Sequence, residues 1–213
     1  MPRKMRQTSR KQPEGDFSKH LKKIWIGSFI QEVMKAKALS PEEARIAHQG
    51  FARKKSEWRA SLRKALRGKG GSDSIQPIVR NSVVKLNQFP FVYTWDSFRD
   101  RLFIRKPSLS WVSIQEARKL KELEFSSSFI TFSVDPASPR SVNFMARLLQ
   151  WCDRFPDIKV LGGGKTVDLV SQTRETRAHF SIRGSEVDKR LAESKRFWME
   201  FEKFLDGFAK EGK

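Results

Sequence analysis

The sequence predicts an α+β protein: a basic helical hairpin followed by a mixed β-sheet domain with packed helices. Three observations carry this expectation: a ring-rich amphipathic stretch near the C-terminus, a series of short β-branched and aromatic runs before it, and a charge excess concentrated in the first third of the chain.

The C-terminal stretch is the clearest element. Val187, Leu191, Ser194, Trp198, Phe201, Leu205 and Phe208 alternate steps of four and three, the spacing that stacks side chains along one helical stripe. Phe197 and Phe204 widen that stripe. Ser185 is placed to cap the helix, and Asp188 suits its first turn. A helix carrying so many rings on one side must close over other elements, so the preceding chain has to supply that surface.

From the N-terminus, residues 1–16 hold Arg3, Lys4, Arg6, Arg10 and Lys11 among polar residues with no apolar periodicity, the pattern of a disordered basic arm. Residues 17–69 predict the hairpin. Its first helix presents Leu21, Ile24, Trp25, Phe29, Val33 and Met34 on a broad face. Ser40-Pro41-Glu42-Glu43 then supplies a cap, a proline at the first helical position and two acids in the first turn. The second helix runs to about Arg67, with Ala44, Ala47, Phe51, Trp58, Leu62 and Ala65 on one side. Arg45, Arg53, Arg63, Lys64 and Arg67 fall opposite, while Lys54, Lys55 and Arg59 flank the apolar stripe.

Gly68 to Ser74 breaks both periodicities, and residues 70–74 read as a linker before a globular domain over 75–213. In that domain Phe91–Trp95 and Leu102–Ile104 predict strands, with Asp96 to Asp100 as a turn or a short helical turn between them. Ser113-Ile114-Gln115-Glu116 matches a capping box and predicts a helix to about Glu124, ended by Ser126-Ser127-Ser128. Phe129–Val134 predicts a strand, and Ser138-Pro139 opens a helix that Pro156 stops. Along it, Val142, Met145, Leu149 and Cys152 form one apolar stripe and Phe144, Leu148, Trp151 and Phe155 another. Ile158–Leu161 predicts a strand, and Thr166–Ser171 and Arg177–Ile182 predict an antiparallel pair joined across Gln172–Glu175.

Charge is the main functional signal. The chain has a formal charge of +19, and residues 1–72 carry 19 Lys/Arg against 6 Asp/Glu. Such a surplus favours polyanionic partners: nucleic acid first, an anionic membrane surface second. A hydrophobic content of 38%, with 17 Phe and 6 Trp, suffices for a core and argues against wholesale disorder. Cys152 is the single cysteine, so an intrachain disulfide and a multi-cysteine zinc site are both excluded, which suits a reducing intracellular compartment. The sequence has no apolar run of the ~18 residues a membrane span needs.

Catalytic motifs are weak. Leu161-Gly162-Gly163-Gly164-Lys165-Thr166 resembles part of a phosphate-binding loop, but Lys159 stands where the first glycine is required and a strand pattern follows instead of a helix. A glycine hairpin accounts for it better. His20, His48 and His179 are isolated, and Asp96, Asp100 and Asp135 suit turns better than a nuclease-like carboxylate set. Residues 91–106 interleave Phe91, Tyr93, Trp95 and Phe103 with Arg99, Arg101, Arg105 and Lys106. Rings on strands usually build core; where exposed, they stack bases while neighbouring cations hold phosphates.

The resulting expectation is a non-enzymatic nucleic-acid-binding protein, RNA ahead of DNA, with no cofactor, metal site or catalytic residue assigned. Phosphate contacts are expected from Arg3, Lys4, Arg6, Arg10 and Lys11 of the arm, and from Arg45, Arg53, Lys54, Arg59, Arg63, Lys64 and Arg67 of the second helix. Arg99, Arg101 and Arg105 of the strand region complete the set. The alternatives are a matrix-like assembly protein that self-associates on an anionic membrane and, behind it, an enzyme acting on nucleic acid.

Overall fold

The computed structural model describes residues 14–67, 77–104, 110–155, 159–161, 164–174 and 177–211. The basic arm through Lys11, the linker 70–74, and Arg105, Lys106, Pro156 and Ile158 lie outside them, as do the side chains of Leu21, Ile24 and Trp25.

Helix α1 (Glu14–Ala38) turns directly into α2 (Pro41–Arg67). The turn is fixed by reciprocal capping: the Ser40 hydroxyl accepts from the Glu43 amide at 3.3 Å, and the Glu43 carboxylate accepts from the Ser40 amide at 2.8 Å. On α1, Phe29 and Val33 enter the main core, whereas Met34, expected beside them, is exposed together with Ile30.

Helix α3 (Pro77–Gln88) has no counterpart in the sequence expectation. It buries Val79, Val83 and Leu86 against the core and leads into β1 (Val92–Phe98). Strand β1 extends past the expected turn at Asp96; a register shift between Thr94 and Asp96 leaves Trp95 exposed. Then come β2 (Arg101–Ile104), β3 (Ser110–Trp111) and the one-turn helix α4 (Ile114–Ala117). The Ser113–Glu116 capping box is present, but the helix ends at Ala117, and Leu123–Ser126 is strand β4. Beyond these lie β5 (Phe129–Val134), α5 (Pro139–Cys152), β6 (Lys159–Leu161), β7 (Thr166–Val170), β8 (His179–Ile182) and, after a 3-10 turn at Gly184–Glu186, α6 (Val187–Lys210).

The α+β class holds, but one mixed sheet is replaced by two antiparallel ones, ordered β1-β5-β7-β6 and β3-β2-β4-β8. Strands β7 and β8, expected to pair, belong to different sheets; between them the described residues show an isolated Arg174–Arg177 bridge. The first sheet packs Val92, Ile130, Phe132, Val134, Val167 and Leu169 into a core shared with α3, α5 and α6. At its margins α2 meets edge strand β1 and α1 meets edge strand β6. Phe51 contacts Tyr93 at 5.1 Å, and Ser28 accepts the Gly164 amide at 2.6 Å. Strands β6 and β7 pair antiparallel, as a glycine hairpin between them requires, and Gly164 sits at φ +60°, where a side chain would be strained.

Helix α6 serves both sheets. Phe197, Trp198, Phe201, Leu205 and Phe208 complete the first core, while Val187 and Leu191 join Leu102, Ala117, Leu123, Phe125, Phe180 and Ile182 under the second sheet. Ser185 is not its cap; the Glu186 carboxylate instead accepts from the Arg183 amide at 3.0 Å. Gly184 lies so close to α4 that an added Cβ would fall 2.4 Å from the Leu120 carbonyl oxygen. Among the described residues no helix is long and apolar enough to cross a membrane.

Candidate nucleic-acid interface

Among the described residues, those expected to bind polyanions fall on two surfaces. The first is the solvent side of α2. Arg45, Arg53, Lys54, Arg59, Arg63, Lys64 and Arg67 are all exposed there. Arg45 pairs with Glu42 at 2.6 Å, and Arg53 approaches Glu57 at 3.9 Å. Lys54, Arg59, Arg63, Lys64 and Arg67 have no acidic partner among the described residues. Exposed cations without nearby carboxylates keep their full charge available to phosphates.

Lys55 departs from this pattern. It is 5% exposed, and its ammonium donates to the backbone carbonyls of Asn87, Phe89 and Val92 where α3 passes into β1. A cation here also complements the negative end of α3. Burial pushes its pKa down to about 8, with Arg59 adding to the effect. Its position four residues after Phe51 and three before Trp58 puts it in the stripe it was expected to flank. Lys55 therefore fastens the hairpin to the body.

The second surface is the outer face of the β3-β2-β4-β8 sheet. The helices reach this sheet through Ala117, Val187 and Leu191, on the side of Leu102, Leu123, Phe125, Phe180 and Ile182. Alternation sends Arg101, Phe103, Trp111, Glu124, Ser126, His179 and Ser181 to the other side. Trp111 is 52% exposed. The Arg101 guanidinium lies 3.8 Å from its ring centroid, and Arg99 lies at 6.0 Å. Phe103 is wedged between Trp111 at 5.2 Å and the His179 ring at 5.8 Å. Glu124 meets His179 at 3.2 Å and accepts from Ser181 at 3.0 Å. Burial and then repulsion from Arg99 hold the Arg101 guanidinium below its usual pKa.

The expected aromatic set thus divides. Phe91 stacks with Phe89 in the main core, and Tyr93 packs on Phe51. Phe103 lies on the outer face of the second sheet but is covered by its neighbours, and Trp95 is exposed on β1. Trp111 and His179 were outside the expected site. The short Ser110-Trp111 strand offers too little alternation for sequence patterning to reveal it.

Among the described residues Asp96, Asp100 and Asp135 each have their own hydrogen-bond partners. Asp96 accepts from the Ser97 amide, while Asp135 accepts from the Ala137 amide and meets His48 at 3.1 Å. Asp100 belongs to a buried polar seam where α6 passes from one sheet to the other. Its Oδ1 accepts from the Ser128 amide at 2.7 Å and the Ser194 hydroxyl at 3.0 Å, while Oδ2 is buried without a hydrogen bond. Ser171 bridges Ser128 and Ser194, the Gln172 amide donates to Ser194 at 2.6 Å, and the Trp198 indole donates to Ser128 at 2.8 Å. Burial raises the Asp100 carboxyl to about 6, although the serine hydrogen bonds oppose that rise.

No protein-family model and no curated protein matches the chain. Among solved structures it is similar to the PH1069 protein of Pyrococcus horikoshii, with a TM-score of 0.53 and 14% identity over 76% of this chain and 96% of that one. A hypothetical protein from Aeropyrum pernix aligns with a TM-score of 0.36 and 14% identity, over 64% of this chain and 96% of that one. The first likeness is one of fold alone.

Proposed function

We propose that the protein binds nucleic acid without chemically altering it, RNA in preference to DNA, inside the cell. The observation that supports this reading is that Lys54, Arg59, Arg63, Lys64 and Arg67 are all exposed on α2, with no acidic partner among the described residues. Such cations contact phosphates and carry no base specificity of their own. The basic arm through Lys11 adds long-range attraction, since residues 1–72 concentrate the chain's positive charge.

The direct test replaces Arg53, Arg63, Lys64 and Arg67 together with Gln and measures binding to labelled RNA and DNA of mixed sequence at 50 mM salt. Affinity for both polymers should fall at least tenfold, with the melting temperature unchanged. Unchanged affinity would remove α2 from the interface. Wild-type protein that ignores both polymers but co-sediments with nuclease-treated anionic liposomes would establish a membrane-surface protein instead.

A further inference from the structure

We infer that the outer face of the β3-β2-β4-β8 sheet is a stacking platform for single-stranded nucleic acid, with Trp111 as the ring that receives a base. This rests on the nucleic-acid reading and adds the strand state and the recognising residue. Three features support it. Trp111 is half exposed but held in one orientation, by Phe103 against its edge and the Arg101 guanidinium over its face. A large ring fixed in place yet left in water is preorganised for a flat partner.

The charge around it is complementary to phosphate. Arg99 and Arg101 crowd the same indole, and an anion between them would relieve their repulsion. Arg174 is exposed at the opposite edge, donating to the Ser181 carbonyl of β8 at 3.0 Å. Glu124, the acid on this face, is already engaged by His179 and Ser181. Strand spacing puts the two edges roughly 14 Å apart, the scale of two to three nucleotides of open strand. Paired bases within a duplex bury their faces against one another, so this platform requires a single strand or loop.

The test uses the full chain and three labelled probes of equal length: a mixed-sequence single strand, the same backbone without bases, and a duplex. Wild type should bind the single strand at least tenfold more tightly than the abasic strand. Trp111→Ala should erase that preference, weakening single-strand binding by about ten- to a hundredfold, while Trp111→Phe retains most of it. Duplex and abasic affinities of both variants should match wild type, with melting temperatures within a few degrees of it. Equal wild-type affinity for based and abasic strands overturns the platform without needing any variant. So does an equal loss by Trp111→Ala on all three probes, which would mark a phosphate or folding contact. Wild type that binds none of the three at 50 mM salt overturns the nucleic-acid reading itself.

Discussion

The two sheets are built alike and covered differently. Among the described residues each has four antiparallel strands, but the first anchors a cluster of 23 buried residues, and the second only seven. The first sheet also has α1 and α2 at its margins, whereas the second leaves Trp111 and the His179 edge open to solvent. Buried apolar contact is concentrated under one sheet, and exposed rings and cations lie on the other. A surface that must accept a ligand cannot also be the one that fills the core.

That contrast can be broken by mutation. Trp198→Ala or Phe201→Ala removes a fully buried ring from the first core and should cost about 3–5 kcal/mol in denaturant unfolding. The seam between the sheets comes next. The Asp100 carboxyl is near 6 in the folded chain against an ordinary 3.8, so its contribution to stability is full below about pH 4 and lost as pH rises through about 6. The Asp100→Asn variant should therefore be more stable than wild type at pH 7–8, by at most about 3 kcal/mol, with the gain gone at pH 4. Paired melts at the two pH values would show it.

Smaller still is the fastening of the hairpin. Lys55→Met keeps the stem but leaves three carbonyls without their donor, for a loss of about 1–3 kcal/mol. Hydrogen exchange should show α2 opening before the first sheet does. Smallest of all, Trp111→Ala forfeits the Arg101 cation–π contact and the Phe103 ring contact of a half-exposed side chain and should cost about 1 kcal/mol. A cost as large as that of Trp198→Ala would make the second sheet's outer face a structural surface and dissolve the comparison.

Legibility in the sequence follows the same divide. The α6 stripe was readable residue by residue because burial there is periodic; Val187, Ser194, Trp198, Phe201, Leu205 and Phe208 are all buried. Strands β1, β2, β5, β6 and β7 were readable from their β-branched and aromatic runs. Helix α3 was obscured because Val79, Val83 and Val84 lower helix propensity, although 79, 83 and 86 keep helical spacing. The charged stretch after Ser113 has helical composition, yet Leu123–Ser126 becomes strand because β2 and β8 flank it. Local pattern gave strands at Thr166–Ser171 and Arg177–Ile182 but missed that β7 and β8 part into separate sheets. On α2, which cations face solvent was legible except at Lys55, whose burial depends on carbonyls more than thirty residues away.

The central claim is that α2 meets phosphates, and counterion release tests it most directly. Each neutralised phosphate frees condensed ions, so with ~6–10 contacts the affinity for duplex should fall on the order of a thousandfold or more between 50 and 200 mM salt. The Arg53, Arg63, Lys64 and Arg67 to Gln variant should show a shallower slope, and replacing Arg99, Arg101 and Arg105 should change it less. Tight wild-type binding with no salt dependence, or a slope the α2 variant leaves unaltered, would contradict the account.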